Sequence, residues 1–305
     1  MSLILANPAR PGRNASIAPA WGAPTVLRLW HLASLDAPTV AVTWAWAFAW
    51  AAHVLLPTWI LLSLGLVVWT IYIGDRLLDA QRFQNKGNGH PLQERHYFHW
   101  RHRHVLLPLA AAAAGTALWL VSSHMSGVAI GKDSFVAAAA LAYFSGVHTR
   151  RGAPGRTMRM AKRVTSREFV VGAIFSAGCI LPVVTIAGAR HQMRPAAAVL
   201  IPAGLFFAFL AWLNVRAIGD WEAFSISNRM QQAARILAVC GIVLAIGMIP
   251  LSLRIAALLS AGAASSVLLA LLDRSRRRFT PLALRIAADA VLLVPLLLTL
   301  QRIIS

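Results

Sequence analysis

The chain has 305 residues, of which 58% are hydrophobic and 13% charged, with a mean hydropathy of +0.64. Soluble domains carry about 25% charged residues, so a soluble globular protein is excluded. A membrane β-barrel is excluded too, because no stretch of about ten residues alternates apolar with polar. The net charge of +19 admits a nucleic-acid partner on composition alone; where the charge falls along the chain excludes one, as shown below.

The opening "MSLILANPARPGRNASIAPAWGAP" is rich in Pro and Gly and carries Arg10 and Arg13. It lacks an apolar stretch followed by a small-residue cleavage site, so it reads as a flexible leader over residues 1–27 rather than a signal peptide. Residues 28–305 read as a single all-α transmembrane domain. Apolar blocks of about 18–22 residues, the length that crosses a bilayer, predict about nine helices. These fall near 37–56, 57–79, 104–122, 127–147, 167–188, 195–218, 233–250, 253–272 and 282–300. Pro57 lies near a helix start and Pro250 closes the seventh span, while "SSHMSG" and "AGARHQMRP" are short polar connections. Cys179 and Cys240 both lie in apolar segments and read as small buried residues rather than a disulfide.

Lys and Arg alternate between loops in the manner that fixes membrane orientation. With the N-terminus cytoplasmic, only Lys132, Arg190, Arg194, Arg254 and Arg302 of the 29 basic residues lie on the far side. The basic charge is therefore a topology signal and a contact for anionic lipid, with no nucleic acid needed to account for it. This predicts an integral protein of a bacterial inner membrane, with its C-terminus on the side opposite the N-terminus.

Acids are few, ten in all, and most fall on the cytoplasmic half; Asp133 and Asp289 are the two set apart from it. In "WTIYIGDRLLDAQRF", Asp75 and Asp79 stand at i and i+4 and share one face of the second helix. Two like charges there repel unless a cation lies between them. One reading pairs them with Arg76, Arg82 or another cytoplasmic Arg. The other has them hold Mg²⁺, which takes one or two carboxylates together with substrate phosphates. In "FLAWLNVRAIGDWEAF", Asp220 and Glu222 follow the sixth helix, with Asn214 and Arg216 just before them. Both acid-bearing ends lie on one side of the membrane and can face a common cavity. The alternative is a pair of solvated loop acids balancing Arg216 and Arg229.

In "ERHYFHWRHRH", His96, His99 and His102 recur every three residues, with Arg95, Arg101 and Arg103 interleaved. The arginines would repel a metal ion, so an interfacial, anion-binding segment is expected, with Tyr97, Phe98 and Trp100 in the headgroup layer. No P-loop, GxSxG or redox Cys motif occurs.

Nine spans, a cytoplasmic N-terminus and acids in the second-to-third and sixth-to-seventh loops together resemble the UbiA-type intramembrane prenyltransferase superfamily. "SLDAPTVAVTWAWAFAW" is similar to that family's first span and "REFVVGAIFSAGCILP" to its fifth. The resemblance implies a cavity for a polyprenyl diphosphate or other isoprenoid lipid, with Mg²⁺ on aspartate motifs and an acceptor attacking the allylic carbon. It implies Asp75, Asp79, Asp220 and Glu222 as metal ligands and catalytic groups, and Arg76, Arg82, Arg216 and Asn214 as diphosphate contacts. The family's first motif, Asn-Asp-x-x-Asp-x-x-x-Asp, has Ile71 and Tyr72 in its first two places here. Its second, Asp-x-x-x-Asp, has Arg216 in place of the first acid. The partial motifs leave a second expectation, a non-catalytic relative that binds lipid or assists membrane assembly.

Overall fold

A computed structural model describes residue 22 and residues 24–85, 94–125, 167–189, 193–223 and 228–298. The expected fourth span, 127–147, lies outside them. The elements are α1 (Thr25–Leu32), α2 (Asp36–Ala51), α3 (Thr58–Asn85), α4 (Glu94–Arg101), α5 (Arg103–His124), α6 (Arg167–Ala189), α7 (Met193–Glu222), α8 (Arg229–Met248), α9 (Leu253–Ser275) and α10 (Pro281–Val291). A single 3₁₀ turn, Arg276–Arg278, follows α9. No β-strand occurs among the described residues.

Six of these helices are long and apolar enough to cross a membrane: α3, α5, α6, α7, α8 and α9. The expected first span is shorter than the hydropathy suggests. α2 has 16 residues, about 24 Å at the α-helical rise. It stops at a turn where His53 takes φ 57°. The expected ninth span is α10, a turn at 292–295 and one further helical turn at 296–298. Two boundaries differ from the sequence expectation in ways that bear on function. α1 starts at Thr25, inside the expected leader. α7 runs through Asp220 and Glu222, so these acids belong to the helix rather than the loop after it. The Arg216–Asp220 pair at i,i+4 supports that last turn.

α2 lies at the centre, packed against α3, α6, α9 and α10, and α7 packs against α6, α8, α9 and α10. The two central helices meet through aromatic rings. Trp44 of α2 stacks on Phe207 of α7 with centroids 3.8 Å apart, and its indole N–H donates to the Leu292 carbonyl at 2.9 Å. Close approach elsewhere depends on glycine. A methyl group on Gly172 of α6 would lie 2.6 Å from the Ala208 carbonyl oxygen of α7. Phe206 of α7 occupies the hollow left by Gly241 of α8 and Gly262 of α9. Small residues of this kind are what allow membrane helices to approach at backbone distance. The outer faces carry large apolar side chains such as Trp119, Leu205, Val243 and Ile246. Of the two cysteines only Cys179 is buried, and Cys240 lies on the exposed face of α8, against the expectation that both are interior.

Candidate functional site

The site begins at the turn between α1 and α2. The Leu35 N–H donates to the Trp30 carbonyl and the Ser34 N–H to the His31 carbonyl, each at 3.0 Å. This bond pair closes a Schellman helix end, whose left-handed residue is usually glycine. Here it is Ser34, at φ 55°, a conformation that costs an L-residue about 1–2 kcal/mol. Two tertiary bonds hold the turn. Ser34 Oγ lies 3.1 Å from His99 Nε2 of α4, and the Trp69 indole N–H of α3 donates to the Ala33 carbonyl at 2.9 Å. A glycine could make the turn but could not reach His99.

Held this way, the turn places His31, in the last turn of α1, against Asp36, the first residue of α2. His31 Nδ1 lies 2.7 Å from Asp36 Oδ2, and the two residues are 1% and 2% exposed. Both positions suit the helix dipole, which favours an anion at the start of α2 and a cation at the end of α1. The same hollow receives Asp289 from α10. Asn214 of α7 donates from Nδ2 to Asp289 Oδ1 at 3.0 Å. One donor atom from each of His31, Asp36 and Asp289 lies within 4.8 Å of the other two. Arg76 of α3 is buried and close enough to act electrostatically on both carboxylates. Tyr72, one turn earlier, feels the same two acids.

Five helices thus deliver polar groups to one buried point inside an apolar bundle. Taking an ion from water into such a place costs several kcal/mol unless partners compensate, and ionisable groups within membrane helices are functional by default. The partnering is incomplete. Among the described residues, neither ring nitrogen of His31 has a hydrogen-bond partner, and nor does Asn214 Oδ1. The His31 Nδ1 atom stands at ion-pair distance from Asp36 Oδ2.

Of the residues expected from sequence, Arg76 and Asn214 reach this centre, from the two acid-bearing helices. Asp75 and Asp79 are half-buried on one face of α3, with Asp75 near enough to act on Tyr72. Asp220 pairs with Arg216, Nε to Oδ1, at 3.3 Å. Glu222 pairs with Arg285 of α10. Arg82 lies within α3, but its side chain falls outside the described part. Among the described residues, His31, Asp36 and Asp289 form a group of three side chains whose donors are close enough together to share one ion; none of the four expected acids belongs to it.

Sequence reasoning passed over His31 and Asp36 and set Asp289 apart from the cytoplasmic acids. A signal was present: Asp289 interrupts the apolar run "RIAADAVLLVPLLL", and an ionisable residue in such a run calls for a partner. The His-rich segment also differs from expectation. His99 is wholly buried and bonded to Ser34, while Phe98 packs on the small core of Ile73, Leu106 and Ala110. Tyr97 alone of the three aromatics is exposed, and α4 braces the turn of the site through His99.

No family model, curated protein or solved structure matches the chain.

Proposed function

We propose that the chain is a UbiA-like intramembrane prenyltransferase with about nine spans, moving a prenyl group from a polyprenyl diphosphate to an aromatic or lipid acceptor at the cytoplasmic side of a bacterial inner membrane. The observation that carries this reading is the meeting of the two acid-bearing helices at one interior point. Asn214 of α7 donates to Asp289, and Arg76 of α3 lies within electrostatic range of the same carboxyl, as two halves of one lipid-diphosphate site would. The bundle around them is apolar, which suits an isoprenoid chain and would shield an allylic cation from water.

Mg²⁺ suits the oxygen donors of Asp75 and Asp79, which share a half-buried face. Asp220 and Glu222 each face a guanidinium. Bound by Asp75 and Asp79, Mg²⁺ would neutralise diphosphate charge and make it a better leaving group. The residues of the chain would do the rest. Arg76 and Arg216, with Arg82, would take the remaining phosphate oxygens, and Asn214 would fix the orientation of Asp289.

The Arg216–Asp220 and Arg285–Glu222 pairs favour a second reading, a non-catalytic relative that keeps the lipid cavity. One experiment separates the two. Binding of a polyprenyl diphosphate to purified protein is measured with and without Mg²⁺, for wild type and Asp75→Asn/Asp79→Asn. Binding that needs Mg²⁺ and is lost in the double variant supports the transferase. Binding indifferent to both leaves the lipid-binding relative.

A further inference from the structure

The buried centre has a chemistry of its own, apart from the diphosphate reading. We infer that His31, Asp36 and Asp289 form a binding site for one divalent transition metal of the zinc class. Three protein donors from three helices fall within 4.8 Å of one another, the number that zinc sites with an open position use. One imidazole with two carboxylates suits zinc and its first-row neighbours better than Mg²⁺, which prefers oxygen donors and keeps its water.

Two further observations point to a cation. His31 is 99% buried, at 1% exposure, yet both ring nitrogens lack a hydrogen bond among the described residues. Its Nδ1 lies 2.7 Å from Asp36 Oδ2, an ion-pair distance that a bound ion would widen to about 3 Å at the bond lengths of a zinc site. Charge points the same way. With His31 neutral and both carboxylates ionised, as ligands must be, Asp36 and Asp289 would carry two negative charges against the single positive charge of Arg76. Half-buried Asp75 adds another at the margin. A divalent cation neutralises what Arg76 leaves. Asn214, bonded to Asp289 Oδ1 at 3.0 Å, is the positioning residue that aims one ligand, the usual role of a group behind a metal-bound carboxylate.

The competing arrangement is a closed ion-pair network, protonated His31 and Arg76 against Asp36 and Asp289, with no metal. The two are told apart on full-length protein purified in detergent, stripped with chelator and incubated with excess Zn²⁺ or Co²⁺. The site predicts about one tightly held metal per chain by elemental analysis, and visible d–d absorption from Co²⁺. His31→Gln and Asp289→Asn should each lower the retained metal at least tenfold. Asn214→Ala should weaken affinity about 10–100-fold, the range for groups behind a ligand. A variant with His96, His102 and His104 all changed to Gln should keep the metal, which removes the His-rich segment as its source. Folding is checked by helical circular dichroism and gel filtration. Should the ligand variants fail to fold, the Co²⁺ spectrum of wild type decides, since a buried site gives bands that adventitious surface cobalt does not. Folded wild type that retains no metal and shows no such bands overturns the site, as does metal kept by folded His31→Gln and Asp289→Asn. None of these results depends on polyprenyl diphosphate binding, so this site and the transferase reading stand or fall separately.

Discussion

Ser34 and His53 show how differently one backbone conformation can be used. Both are non-glycine residues with φ near 55°, and each closes a helix with the same pair of bonds. For His53 these are Val54 N–H to the Ala49 carbonyl and His53 N–H to the Trp50 carbonyl. His53 is exposed and its side chain has no described hydrogen bond, so His53→Gly should raise stability by about 1 kcal/mol through relief of left-handed strain. Ser34→Gly gains the same relief but loses the 3.1 Å contact with His99, worth about 0.5–1.5 kcal/mol, so its net effect should be near zero or unfavourable. Thermal melts of both variants in detergent test this; an equal gain at both positions would mean that His99 does not hold the turn. A second residue, Trp221, donates its indole N–H to buried Asp273 at 2.8 Å. Trp221→Phe leaves that carboxylate with Arg276 at 3.4 Å and should cost about 1–3 kcal/mol.

At the scale of elements, the contact between α6 and α7 depends on one missing methyl group. A Cβ at Gly172 would meet Ala208 O at 2.6 Å and Trp212 N at 2.7 Å, both backbone atoms that cannot rotate away. Gly172→Ala should therefore force the helices apart and cost about 1–3 kcal/mol, the range for overpacking. Gly178, further along the same helix, meets nothing within 4 Å. Gly178→Ala should be neutral or slightly stabilising, since alanine is the better helix former. Comparable losses of folded protein in both variants on gel filtration would contradict the packing account. The same contact matters to the site, because α7 carries Asn214 and α6 braces α7 from behind.

For the whole molecule the testable quantity is orientation. The Lys and Arg bias predicts that the end of α7 holding Arg216 and the turn holding Arg277 face the cytoplasm and that residue 132 faces the other way. In a background where Cys179→Ala and Cys240→Ser remove the native thiols, single cysteines at 132 and 277 should react with an impermeant maleimide from opposite sides. Cys240 must go because it is exposed on α8. Labelling of both from one side would show that the span count between them is wrong. The bundle also explains why the polar centre tolerates burial. Contributions from α1, α2, α3, α7 and α10 place opposite charges together, and no single helix could compensate Asp289 alone.

The sequence by itself determined the helical class, the apolar exterior and most helix positions, because bilayer thickness sets a length that composition must satisfy. Asp75 and Asp79 were likewise legible, since helical spacing alone puts i and i+4 on one face. What only the tertiary structure decided is the centre of His31, Asp36 and Asp289. Its members lie up to 258 positions apart, counting from His31 to Asp289, and no local period links them. His31 and Asp36 meet only because Trp69 and His99 pin a left-handed turn. Asp289 joins them only because α10 packs against both α2 and α7. Periodicity reports which face of a helix is apolar; which polar groups then share a buried hollow depends on the neighbours each helix acquires when the bundle closes.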